Sequence, residues 1–215
     1  MARIVTLPYG LFQACSYLIC LPSVCCLIDP TIPPARLPAG DPEIKLLLAT
    51  HGHIDHISQA DVWRQLTRAP LWIHPDDADC LTSSARNLSA IMQNPVVFEP
   101  AEMSYVDGQK IMLDDSCFIE VIHTPGHTAG CVCLLLWSQS RPLALFTGDT
   151  LFAGSIGRLD LGGDSKAMQQ SLIKLCQLGK LPEMADLPVY PGHGPSTTLR
   201  QERLSNPYLQ DLPDR

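Results

Sequence analysis

A short apolar run that ends in histidine or aspartate beside glycine occurs four times in this chain. That recurrence constrains its fold more than any other feature. The first instance is the densest: after the run 44–49 comes His51-Gly52-His53-Ile54-Asp55-His56, four metal-binding side chains in six residues. The run 118–122 leads to His123-Thr124-Pro125-Gly126-His127. The run 143–146 leads to Thr147-Gly148-Asp149-Thr150, and Pro188-Val189-Tyr190 leads to Pro191-Gly192-His193-Gly194. Short apolar runs of this kind read as buried strands. The adjacent glycines let backbone approach a ligand closely and adopt positive φ. Four strand-end loops carrying His or Asp imply one convergent site.

Imidazole and carboxylate together favour zinc, iron or manganese over calcium or magnesium. In an extended segment His51 and His53 project to the same side, because strand side chains alternate with period two. A turn after them directs Asp55 and His56 to a second point, so one segment can serve two ions. His123 reads as a supporting or structural residue rather than a ligand. His74, in Trp72-Ile73-His74-Pro75, reads as a surface histidine at a strand end.

These motifs closely resemble those of the metallo-β-lactamase superfamily, whose metal pattern is HxHxDH followed by separate His, Asp and His. The segment 148–158 is similar to the corresponding loop of the glyoxalase II branch. So is Pro191-Gly192-His193-Gly194-Pro195-Ser196-Thr197-Thr198, with Glu202 and Asn206-Pro207-Tyr208-Leu209 after it. The resemblance extends over nearly the whole chain, Asn87-Leu88-Ser89 included, and is strongest for short, single-domain glyoxalase II-like hydrolases. It implies a four-layer αββα sandwich of α/β class, a single domain over 1–215. It assigns His51, His53 and His127 to one metal ion, Asp55, His56 and His193 to a second, and makes Asp149 the bridge. Two divalent transition-metal ions are thus expected, zinc first, with iron or manganese as alternatives.

Composition narrows the function. A length of 215 residues with 46% apolar content suits one globular domain. The net charge of −7 argues against nucleic acid, which needs clustered Lys and Arg. No run reaches the length of a membrane span. Met1-Ala2-Arg3-Ile4-Val5 reads as a first strand rather than a signal peptide, so a cytoplasmic setting is expected. The nine cysteines are then expected to be reduced, with Cys15, Cys20, Cys25, Cys26, Cys131 and Cys133 packed as small apolar residues. Pro30, Pro33, Pro34, Pro38 and Pro42 read as a stiff connection between two sheet regions.

Strands are expected near 2–8, 15–21, 24–28, 45–49, 70–73, 118–123, 131–137, 143–147 and 188–190. Helical stripes are expected at Ile57, Ala60, Trp63 and Leu66, and at Met168, Leu172, Leu175, Cys176 and Leu178, the second capped by Asp164 or Ser165. Neither Ser155 nor Ser196 sits in a nucleophile elbow. The resemblance therefore implies hydrolysis by metal-activated water, with Asp55 both a ligand and the residue orienting that water.

The expected substrate is a small-molecule thioester, S-D-lactoylglutathione or a related acylated thiol. Full-length glyoxalase II enzymes add a helical domain that the 22 residues after His193 are too few to form. Arg158, Lys166, Arg200 and Arg203 are equally readable as substrate contacts or surface charges. Two other functions stay open: a persulfide dioxygenase with one iron on His51, His127 and Asp149, and a metal- or thiol-binding protein without turnover.

Overall fold

Continuous apolar runs become strands covered on both faces. Strands β2 (Ala14–Cys20) and β3 (Cys25–Ile28) bury every residue, and β4 (Ile44–Leu48) exposes only Lys45 fully. The computed structural model describes residues 2–10, 12–37, 40 and 43–212. It divides into two compact units, Met1–Tyr105 and Val106–Arg215.

The first unit holds a six-stranded sheet in plain sequence order: β1 (Arg3–Tyr9), β2, β3, β4, β5 (Leu71–Ile73) and β6 (Met103–Ser104). β1 to β3 pair antiparallel and β3 to β6 pair parallel. A parallel pair requires a crossover, and here α1 (Ile54–Ile57) and α2 (Ala60–Thr67) lie between β4 and β5. Trp63 of α2 packs with Leu47, Leu71 and Ile73, and its indole N–H donates to the Ile32 carbonyl at 2.7 Å. A short helix, α3 (Ala78–Thr82), follows β5.

The second unit holds the order β12-β11-β10-β9-β8-β7, which comprises β7 (Lys110–Met112), β8 (Cys117–His123), β9 (Val132–Ser138), β10 (Arg141–Gly148), β11 (Pro188–Pro191) and β12 (Thr197–Thr198). All pairs are antiparallel except β10 with β11. The helix α4 (Ser165–Leu178) crosses between those two. Its N-cap is Asp164, whose carboxylate accepts from the N–H groups of Lys166 and Ala167. Met168, Leu172, Leu175 and Cys176 form its buried stripe, against Leu135, Leu145 and Val189. Two short helices, α5 (Leu199–Ser205) and α6 (Pro207–Gln210), close the unit.

Strand direction places the functional loops. In the first sheet β3, β4 and β5 run the same way, so the segments leaving them, at Asp29, His51 and Asp77, gather along one edge. In the second sheet β8 and β10 are both antiparallel to β9, and β11 is parallel to β10. The segments carrying His127, Asp149 and His193 therefore leave the second sheet along one edge too.

Several expectations need correction. The proline-rich segment joins β3 to β4 within one sheet rather than separating two sheets, because a parallel pair needs a long connection; Pro38 and Pro42 lie outside the described residues. Cys20 and Cys25 form a disulfide, so the cysteines are not all reduced. The pair stand opposite one another in the β2/β3 register, with Cα atoms 4.2 Å apart. The remaining seven form no disulfide and are buried, and burial pushes the Cys133 thiol up to about 11. The first helical stripe is split between α1 and α2, and within α2 its three-residue step drifts off the buried face, leaving Leu66 63% exposed. Strands β6, β7 and β12, of two or three residues, are too short to register as apolar patterns.

Among the described residues no helix is long and apolar enough to cross a membrane. The packing of α4 generates a stability prediction. Leu175→Ala is expected to cost about 2–5 kcal/mol in denaturant unfolding. Leu66→Ala is expected to stay within about 0.5 kcal/mol.

Candidate metal centre

In the first unit the ligand segment starts where β4 ends. His51 and His56 are fully buried and His53 nearly so, while the Asp55 side chain keeps 25% of its surface exposed. His53 has extended backbone and precedes α1, and Asp55 and His56 occupy that helix's single turn. The His51 ring lies 4.8 Å from that of His53 and 4.1 Å from that of His56. Ligand atoms of His51 and His53 come within 4.8 Å of each other, as do those of His51 and His56 and of Asp55 and His56.

One carboxylate organises this segment. Asp29, buried at the end of β3, accepts from the Thr50 N–H at 2.7 Å and from the Thr50 hydroxyl at 2.8 Å. It also accepts from His56 Nδ1 at 2.8 Å. His56 must donate there, since a carboxylate only accepts, which makes Nε2 its acceptor nitrogen. His51 follows by the same logic. The Thr50 hydroxyl spends its proton on Asp29, so it accepts from His51 Nδ1 at 3.2 Å, again making Nε2 the acceptor nitrogen. Asp29 achieves this with φ +49°, a region that a short polar side chain tolerates better than most. A second buried acid, Asp77, accepts from the Gly52 N–H at 2.9 Å. Gly52 is required there: a Cβ would lie 2.3 Å from Cys80 Cβ.

In the second unit Asp149 is the centre. Its Oδ2 lies 3.4 Å from His127 Nε2 and 3.6 Å from His193 Nε2. His127 donates through Nδ1 to the Arg158 carbonyl at 2.7 Å, which again presents Nε2. The Gly192 N–H donates to the Gly148 carbonyl at 2.8 Å, holding the two strand ends together and His193 beside Asp149. Gly157 donates to the Asp149 carbonyl, and a Cβ there would lie 2.0 Å from that oxygen. The edge of Phe152 meets the His193 ring at 5.9 Å. Glu202, buried in α5, accepts from the Gly154 N–H, the Thr197 hydroxyl and the Asn206 amide, and Asn206 donates to the Phe152 and Ser155 carbonyls. The C-terminal helices therefore brace the loop that follows Asp149.

All seven residues expected as ligands thus stand at strand-end loops with imidazole and carboxylate groups converging within each unit. This donor set fits transition-metal ions. Asp29, Asp77 and the bracing role of Glu202 and Asn206 went unrecognised in the sequence. The signal for Asp29 was present, since it too is a lone acid ending an apolar run.

His123 is structural: its Nε2–H donates to the Ala129 carbonyl at 2.9 Å, and its N–H donates to Asp107. Burial works to raise the Asp107 carboxyl, but that N–H and Lys174 outweigh it and hold the group below its ordinary value. His74 does end β5, but it is not a surface residue, its side chain being only 11% exposed. Of the four cations considered for substrate, Arg158 pairs with Asp160, Arg200 with Asp186, and Arg203 donates to the Gly179 carbonyl.

If Asp29 fixes the tautomer and direction of His56, Asp29→Ala should weaken metal binding about 10- to 100-fold in a chelator competition. Unchanged affinity would remove Asp29 from that role.

Comparisons with known proteins give the family. The model of the metallo-beta-lactamase superfamily matches residues 9–193. Hydroxyacylglutathione hydrolase GloC of Haemophilus influenzae is 32% identical over 176 residues, 81% of this chain and 80% of that protein. Among solved structures, the BLEG-1 B3 metallo-beta-lactamase superposes with a TM-score of 0.82 at 29% identity, covering 96% of this chain and 99% of that one. TTHA1623 in a di-iron-bound form gives 0.75 at 30% identity, covering 95% and 100%. The chain belongs to the metallo-β-lactamase superfamily, a family of metal-binding α/β sandwiches made up mostly of hydrolases.

Proposed function

We propose that this protein is a binuclear metal-dependent thioester hydrolase acting on S-D-lactoylglutathione or a closely related acyl-thiol. The observation that carries the reading is the orientation of His51, His56 and His127. Each gives its Nδ1–H to an oxygen of the protein and keeps Nε2 as a lone-pair donor. Metal-ligating histidines are oriented in this way, through a hydrogen bond from the other ring nitrogen. The similarity to a hydroxyacylglutathione hydrolase supplies the substrate class.

In this reading residues 1–215 act as one domain. His51, His53 and His127 hold one ion, Asp55, His56 and His193 the other, and Asp149 both, with zinc the expected metal. Bound divalent ions would lower the pKa of water from 15.7 to about 7 and polarise the substrate carbonyl. Asp55 is the acid in the cluster that keeps appreciable exposure, so it orients the attacking water through its carboxylate. The thiolate leaving group, with a pKa of roughly 8.5 judged from cysteine, departs without a dedicated general acid. The turn at 152–155, braced by Glu202 and Asn206, fixes the His193 ring against Phe152.

His193→Ala separates this reading from a one-iron dioxygenase, which needs no ligand at that position. The variant is expected to keep its fold and its first ion. It should lose about 10²–10³ in thioester hydrolysis, the cost of removing one electrostatic catalytic group. Full activity in that variant, with oxygen consumed by the wild type on glutathione persulfide, would overturn the hydrolase.

A further inference from the structure

Beside Asp55 the first unit has a cavity of about 140 Å³ that the ligand geometry does not use. Tyr9, the last residue of β1, and Phe12, in the turn that follows, line it together with Ile54, Met92 and Ser58. Its apolar wall is open to solvent: Phe12 is 53% exposed, Met92 41% and Tyr9 36%. Large apolar side chains clustered at the mouth of a cavity mark a binding site more often than chance exposure does.

We infer that this cavity is the subsite for the acyl chain of the substrate, and that it selects saturated chains of about four to six carbons. The inference rests on the thioesterase reading above. The lining decides which end of a glutathione thioester enters. Among the described residues Asp55 is the one charged group lining the cavity, and in the reading above its charge is offset by the ion it holds. No Lys or Arg among those lining residues is placed to pair the carboxylates of a peptide thiol, whereas a hydrocarbon chain removes the apolar wall from water. Size sets the length, since at roughly 30 Å³ per water-sized group the cavity takes about four or five such groups. Met92 adds adaptability, because an unbranched thioether fits chains of differing shape. Asp55 at one side of the cavity would place the carbonyl next to the water that this residue orients. A lactoyl group, with its hydroxyl and short chain, leaves most of the wall uncovered.

The test compares acetyl-, D-lactoyl-, butanoyl- and hexanoyl-glutathione with the zinc-loaded full chain. Each methylene buried is worth up to about fourfold. The ratio of kcat/KM for hexanoyl over acetyl is therefore expected to exceed about tenfold. Phe12→Ser and Met92→Ser should each cut that ratio severalfold, and D-lactoyl should fall near acetyl. General damage to the enzyme lowers both substrates and leaves the ratio in place, so the ratio reports the cavity alone. A flat chain-length profile in the wild type, or a ratio unchanged in both variants, would overturn the subsite while leaving the hydrolase standing. Failure to hydrolyse any of the four would overturn the hydrolase itself and the subsite with it.

Discussion

Everything at the metal centre depends on which way the strands run. A strand's last residue can present a side chain at a sheet edge only if the chain arrives there. Several strands supply one edge only if they run the same way. In the first sheet β3, β4 and β5 do so, and they deliver Asp29, His51 and Asp77. In the second, β8, β10 and β11 share a direction and deliver His127, Asp149 and His193. The crossover helices α2 and α4 are what parallel pairing demands, and the buried stripes that cement them, Trp63 in one and Leu175 in the other, are therefore tied to the site by topology.

The second requirement is that buried imidazoles point correctly. A neutral histidine has one donor and one acceptor nitrogen, and only the hydrogen bond made by the first fixes the direction of the other. Asp29 orients His56 directly and His51 through the Thr50 hydroxyl, and the Arg158 carbonyl does the same for His127. Close backbone packing completes the arrangement. At Gly52 and Gly157 any side chain would collide with Cys80 or with the Asp149 carbonyl. The cavity beside Asp55 has exposed apolar walls and, among the described residues, no Lys or Arg in its lining.

The positions of the candidate ligands were legible because they sit in compact motifs at the ends of strong apolar runs; β2, β4, β8 and β10 all lie where their hydrophobicity placed them. Asp29 was harder to see, because its partners, Thr50 and His56, are 21 and 27 residues away and meet it only through β3/β4 pairing. The Cys20–Cys25 disulfide was missed for a related reason, since register rather than composition sets those two residues opposite one another. Leu66 went wrong because a strict three-residue step drifts about 60° per repeat around a helix, which carries Leu66 off the face that buries Ala60 and Trp63. The short strands β6 and β12 owe their existence to a neighbouring strand, and two residues hold too little pattern to read.

The central claim is that this donor set holds two ions on one chain. Elemental analysis of the purified wild type after saturation with zinc and removal of excess metal tests it most directly. The account predicts two zinc ions per chain. A single ion at saturation, unchanged when metal is supplied in excess, would contradict it.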